Sequence, residues 1–136
     1  MLAVLWRRPA PLLLVLAADG VADLLSRLLK DAIDEQRPAF RYPEPRPLLH
    51  VPNTGSFPSG HAATSFACAL VLAWAVPRLA LPLFVLAAAI AFSRVYVGVH
   101  YPSDVVAGAL LGLAVATALR LLGADRPRSQ RRPRAG

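Results

Sequence analysis

The chain has 136 residues, of which 56% are hydrophobic and 17% charged, with a formal net charge of +7 and one cysteine, Cys68. An average soluble domain carries about 25% charged residues, so this composition excludes a disordered chain, a collagen-like chain and a disulfide scaffold. The length allows one domain, and a lone cysteine in an apolar run can form no internal disulfide.

In chain order, the first apolar run follows Arg7 and Arg8 and covers 9–18. It imitates a signal peptide, but it continues as a charged amphipathic stretch without an obvious cleavage site. The pattern predicts a helix over 9–34. Asp19, Asp23 and Arg27 recur every four residues and therefore share one face of it, with Asp23–Arg27 read as a structural pair. The segment 37–60 carries six prolines, which predicts a stiff, non-helical cover; His50 lies in it without a motif. Between Ala62 and Phe92 the single charge is Arg78. A bilayer span needs about 20 mostly apolar residues, so this stretch is too long for one helix. Pro77-Arg78 is the natural break and gives helices over 60–76 and 79–97. The first of these is short for a span and requires local thinning or a submerged end. The uncharged run Val105–Leu119 predicts a last helix over 103–122, in which Gly108 and Gly112 form a GxxxG pair for close helix packing, within the chain or across a dimer. Trp6, Trp74 and Tyr101 lie near helix ends, where aromatic side chains serve as interfacial anchors. The fold class read from this pattern is all-α: an integral membrane bundle of about four transmembrane helices. Residues 1–122 make the domain and 123–136 a basic, disordered tail.

The cations divide by position. Arg7, Arg8, Arg78, Arg120 and five arginines of the tail fall on one side of four alternating spans, which the positive-inside rule makes cytoplasmic. Contact with anionic headgroups explains this charge better than nucleic acid does. Lys30, Arg37, Arg41, Arg46 and Arg94 fall on the opposite side together with His50, His61 and His100. Cations gathered there work against the topology rule, and an anionic substrate would account for them.

Three motifs lie at the ends of helices on that side. Lys30-x6-Arg37-Pro38 spans about two turns, so both cations share a face if the helix lasts to Gln36; Pro38 then ends it. Taken alone it is also what a snorkelling pair looks like. In Pro58-Ser59-Gly60-His61, Ser59 can cap the next helix, whose first N–H groups form an anion site, and His61 projects beside it. An ordinary cap is the plainer alternative. In Ser93-Arg94-x5-His100-x3-Asp104, Gly98 suits the intervening turn and Pro102 the start of the last helix. Asp104 can accept from one ring nitrogen of His100 and hold the other toward a substrate; alternatively the pair ties a loop to a helix.

Together, and in this order, the motifs resemble those of the PAP2 (type 2 phosphatidic acid phosphatase) superfamily over residues 30–104. The resemblance implies a membrane phosphatase with a phosphohistidine intermediate and no metal or other cofactor. It implies that His100 is the nucleophile, Asp104 its orienting partner and His61 the acid that protonates the leaving oxygen and then the base that activates water. Lys30, Arg37 and Arg94 would clamp the phosphate, with hydrogen bonds from Ser59 and the Gly60 amide. The implied substrates are lipid phosphates: isoprenoid diphosphates, isoprenoid-linked sugar phosphates, phosphatidylglycerol phosphate or phosphatidic acid. The implied place is the cell membrane, with the site on the non-cytoplasmic side and the tail cytoplasmic. The alternative is a catalytically idle membrane protein that binds headgroups or serves a partner. Membrane members of the family commonly have six spans and this chain begins just before the third. A fragment, a mis-assigned start and a homodimer that covers the missing surface are the options, and the intact motifs favour a minimal active enzyme.

Overall fold

A computed structural model describes residues 9–42, 44, 46–48 and 50–124. Its elements are α1 (Pro9–Ile33), a short α2 (Pro38–Arg41), α3 (Gly60–Ala75), a 3-10 turn (Pro77–Leu79), α4 (Ala80–Tyr96) and α5 (Pro102–Ala124). There is no strand among the described residues. Arg7, Arg8, Trp6 and the tail from 125 onward lie outside them.

Local signals explain most boundaries. Val76, in extended backbone, and Pro77 stop α3, and the 3-10 turn carries Arg78 into α4. Gly98, at φ +78, turns the chain after α4, a conformation that costs glycine little. Pro102 starts α5, with Asp104 in its first turn, where the helix dipole favours a negative charge. The chain's first helix ends within one residue of the expected 34, short of the Gln36 that a shared face for Lys30 and Arg37 requires. Asp34 adopts φ +46, its N–H closes back on the Lys30 carbonyl at 2.9 Å, and α1 stops at Ile33. Lys30 and Arg37 therefore do not share a helix face. Pro38 opens α2 instead of ending α1, so the cover over 37–60 contains one helical turn. At the other end α5 runs on through Ala124, two residues into the expected tail.

α3 is the central helix and touches α1, α4 and α5. The packing is inverted in size relative to a water-soluble core. Ala18, Ala22, Ala63, Ala67 and Ala116 are buried with Val71 and Val115. Large apolar side chains face outward, Leu81 at 76% and Phe92 at 66% exposure among them. Lipid tails are as apolar as leucine, so burying large side chains gains little in a membrane; small residues that admit close backbones drive packing there. Two helices, the stretches Pro77–Tyr96 and Pro102–Gly123, are long and apolar enough to cross a bilayer. α3 has 16 residues, and α1 carries the Asp19, Asp23, Arg27 and Lys30 charges.

The GxxxG pair acts within the chain. A Cβ on Gly108 would lie 2.3 Å from the Ser59 carbonyl oxygen, and one on Gly112 would lie 2.0 Å from that of Ala63. α5 therefore rests directly on the backbone of α3 at the end that holds His61. At the other end of α3 the Arg120 guanidinium lies 4.4 Å over the Trp74 ring, a cation–π contact between α3 and α5. Cys68 is half-buried, 3.9 Å from Asp19, which fits a packing role.

Gly112→Ala is expected to lower stability by about 1–3 kcal/mol through overpacking. Gly20→Ala, in the exposed interior of α1 with nothing within 4 Å of the new Cβ, is expected to gain up to about 1 kcal/mol. Thermal unfolding of the two variants in detergent checks the contrast.

Candidate active site

The three motifs converge on one cavity of about 750 Å³, lined by Lys30, Arg37, Gly60, His61, Arg94 and His100 among others. α1 brings Lys30, the following loop brings Arg37, the start of α3 brings Gly60 and His61, and the end of α4 brings Arg94. The Gly98 turn then returns the chain so that the N–H groups of Val99 and His100 both donate to the Arg94 carbonyl. That bond pair sets His100 directly before α5, four residues from Asp104.

His100 is 5% exposed and Asp104 0%. The ring Nδ1 lies 3.2 Å from Asp104 Oδ2. With the carboxylate on Nδ1, the network assigns the proton to that nitrogen and leaves Nε2 as the acceptor, its lone pair facing an Arg37 N–H. Arg37 Nη1 lies 3.4 Å from Nε2. Burial, joined by the positive charges of Lys30 and Arg37, holds the His100 pKa below its usual 6.5, against the opposing pull of Asp104. His100 is thus a neutral base near neutral pH, oriented by a carboxylate. Burial likewise lowers the Arg37 pKa from its usual value, and Asp104 opposes that too.

The cations do different work. Arg37 donates from Nε to the Thr54 carbonyl (2.9 Å), from Nη1 to the Val99 carbonyl (2.9 Å) and from Nη2 to the Thr54 hydroxyl (3.1 Å). Lys30 donates to the carbonyls of Gly55 (3.2 Å), Ser56 (2.9 Å) and Pro58 (2.6 Å). An ammonium has three protons, so Lys30 spends all of them on fastening the loop ahead of α3. It supplies charge to the cavity without a free donor. Among the described residues, the Arg94 side chain binds only the adjacent Ser93 hydroxyl, at 3.1 Å from Nε, which leaves its other N–H groups for a ligand.

Ser59 departs from its expected role. It occupies the N-cap position of α3 but its side chain makes no capping bond. Its hydroxyl is buried without a partner among the described residues, and Ser59 is not in the cavity wall. Its backbone N–H donates instead to the Asp104 carbonyl at 2.9 Å, which joins α3 to α5. Tyr101 is no interfacial anchor, since its hydroxyl is buried.

Other residues reach the site from outside the three motifs. His50 and Thr54, in the proline-rich loop, reach the cavity wall, as do Asp19, Asp23 and Thr64. Asp23 is paired with Arg27 at 2.8 Å, as expected, but both are solvent-accessible at the cavity rather than enclosed. Ser56 donates to Asp104 Oδ2 from inside the protein. Only closure of the loop by Lys30 and Arg37 brings His50, Thr54 and Ser56 to the site, and spacing cannot reveal that.

Histidine-selective NMR of the detergent-solubilised chain is expected to show His100 titrating below pH 6.5. Asp104→Asn removes the group that opposes this shift and is expected to lower the titration further, by about one pH unit or more. An unchanged or raised value would contradict the assigned pair.

Comparison with known proteins agrees with the geometry. Residues 9–128 match the PAP2 superfamily. Decaprenylphosphoryl-5-phosphoribose phosphatase of Mycobacterium tuberculosis is 37% identical over 126 residues, covering 93% of this chain and 69% of that protein. Phosphatidylglycerophosphatase B of Bacillus subtilis is 35% identical over 113 residues, covering 74% of this chain and 52% of that protein. The crystal structure of Aquifex aeolicus LpxE superposes with a TM-score of 0.75 at 29% identity, covering 86% of this chain and 72% of that one. That of the Bacillus subtilis transmembrane phosphatidylglycerolphosphate phosphatase gives 0.66 at 30%, covering 87% and 61%. The chain thus spans between 52% and 72% of the length of these relatives. With the family match over nearly its whole length and its three motifs gathered at one cavity, the chain belongs to the PAP2 superfamily.

Proposed function

We propose that the chain is a membrane lipid phosphatase that hydrolyses a lipid phosphomonoester or diphosphate through a phosphohistidine, on the non-cytoplasmic side of the membrane. The observation that carries this reading is the buried His100–Asp104 pair opening onto a cavity that it shares with His61, Arg37 and Arg94. A headgroup binder needs the cations but not a neutral imidazole oriented by a buried carboxylate.

In the first step His100 Nε2 attacks phosphorus. An N–P bond forms, the P–O bond to the lipid breaks, and His61 gives its proton to the departing oxygen. In the second step His61 takes a proton from water, whose oxygen displaces Nε2 and releases inorganic phosphate. Phosphoryl transfer asks mainly for in-line positioning and neutralisation of the equatorial oxygens. The forked guanidinium groups of Arg37 and Arg94 fit those oxygens, and the first N–H groups of α3 at Gly60 and His61 add donors at a positive helix end.

The cavity is much larger than one phosphate. Its wall of Asp19, Asp23 and Thr64 offers hydrogen-bonding groups to a hydroxylated headgroup. The Mycobacterium tuberculosis relative, named for a decaprenyl-linked phosphoribose, supports including isoprenoid-linked sugar phosphates among the substrates. The outward leucines of α1, α4 and α5 leave the tail of such a substrate in lipid. The charge distribution of the sequence supports a cytoplasmic C-terminal tail.

Purified protein in detergent is expected to release phosphate from at least one of a polyprenyl diphosphate, a polyprenyl-linked sugar phosphate, phosphatidylglycerol phosphate and phosphatidic acid. Activity should persist with EDTA and be inhibited by vanadate, which mimics five-coordinate phosphorus. His100→Ala should abolish turnover, and His61→Ala should lower it by about 10²–10⁴-fold. Lipid binding without phosphate release from any of the four would instead support the idle, headgroup-binding reading.

A further inference from the structure

Ser56 stands outside the three motifs, yet three bonds meet there. Its side chain is fully buried. Its hydroxyl donates to Asp104 Oδ2 at 2.5 Å and lies 3.5 Å from His100 Nδ1. Its backbone N–H donates to the Glu35 carbonyl at 2.7 Å, and its own carbonyl accepts from Lys30 Nζ at 2.9 Å. The backbone is thus held on both sides by the end of α1 and the residues after it, and the hydroxyl is aimed at the carboxylate.

We propose that Ser56 is a positioning residue of the reaction, which holds the Asp104 carboxylate against the His100 ring and ties that pair to the loop fastened by Lys30. The proposal rests on the reading of His100 as the attacking group. Asp104 Oδ2 accepts from Ser56 Oγ, from the Tyr101 N–H at 2.9 Å and from His100 Nδ1, whereas Oδ1 is buried with no hydrogen-bond partner among the described residues. The hydrogen bonds that orient the carboxylate among those residues therefore all end on one oxygen, and burial together with the nearby Asp104 raises the Glu35 pKa. Of the donors to Oδ2, the Ser56 hydroxyl is the one side-chain donor other than the imidazole itself. Without it, Oδ2 keeps the Tyr101 N–H and His100 Nδ1 as its donors, so the carboxylate stays on the ring but is held less firmly in the orientation that aims Nε2. The negative charge that Ser56 drew off also becomes available to His100, which favours the protonated ring.

The test uses the full chain in detergent micelles. The chain has three histidines, so NMR titration with His100→Ala as the assignment control resolves the ring of interest. The charged or titratable groups around the pair are Asp104 on α5, Lys30 on α1, Arg94 on α4, His61 on α3, and Glu35, Arg37 and His50 in the loops; Ser56→Ala substitutes none of them. In Ser56→Ala the His100 titration is expected to rise by about one pH unit, the effect of one lost hydrogen bond to a charged group. This is the opposite direction from Asp104→Asn. With dioctanoyl phosphatidic acid as the probe, or whichever lipid phosphate of the panel is cleaved, kcat should fall about tenfold with KM unchanged. The acid limb of kcat/KM should move up with the titration. Ser56→Cys, similar in shape and a weaker donor, should shift both in the same direction by less.

A folded Ser56→Ala protein with wild-type or lowered His100 titration overturns the proposal. If Ser56→Ala does not fold, a wild-type titration in Ser56→Cys overturns it equally. Should no lipid be cleaved, the titration still decides the role of Ser56 at the pair, and that failure belongs to the phosphatase reading alone.

Discussion

A carboxylate with no exposed surface has to find its compensation inside the protein, and Asp104 is such a group. The site is arranged around that requirement. Three donors reach Oδ2 from three places in the chain: the loop before α3, the turn before α5, and His100. A hydrogen bond to a charged group contributes about 1.5–3 kcal/mol, so the loop, the turn and the ring are bound to one another through this charge. The orientation of His100 is then a consequence of compensation, and no separate device is needed to choose its tautomer.

The helix ends can meet around Asp104 because the backbones between them have almost no side chain to separate them. The Ser59 carbonyl sits where a Cβ of Gly108 would be, and the Ala63 carbonyl where one of Gly112 would be. Gly55 plays the same part at the other edge, where a Cβ would lie 2.7 Å from the Lys30 carbonyl oxygen. In a bilayer the apolar effect does not distinguish helix–helix from helix–lipid contact, so close backbone approach is the available source of packing. The alanines of α1 and α3 and the glycines of α5 therefore stabilise the bundle and set the spacing of the catalytic groups through the same contacts.

This division explains what the sequence could and could not disclose. The helices, the Pro77-Arg78 break, the Gly98 turn, the Pro102 start and the Asp23–Arg27 pair follow from signals within a few residues, and all were readable. The convergence of His61, His100, Arg37 and Arg94 was readable only through the order of three motifs, which is information about a family and not about local physics. The helix does not last to Gln36 because Asp34 takes a left-handed conformation that no neighbouring glycine announces, and Lys30 and Arg37 therefore share no helix face. Ser59 offered a capping side chain, but its backbone N–H was claimed by Asp104 and its hydroxyl was left buried. Ser56, Thr54 and His50 could not be found by spacing, because tertiary closure alone gives the loop its shape.

Lys30 shows what that closure contributes. A lysine in a phosphate site is ordinarily pictured as a flexible ammonium that reaches for the ligand. Here its three donors are already engaged by loop carbonyls, and Arg37 is similarly tied to Thr54 and Val99. Both charges are therefore fixed before any anion arrives, at the cost of their full freedom to make contacts. Fixed charge in a partly dry cavity is the form of stabilisation that needs no reorganisation as negative charge shifts in a transition state. In the proposed mechanism, direct grasp then falls to the groups with donors to spare: the Arg94 fork, the second Nη2 N–H of Arg37, and the amides that open α3. On that proposal, the same bonds that fold the proline-rich loop separate the cations that build the field from the groups that would hold the phosphate.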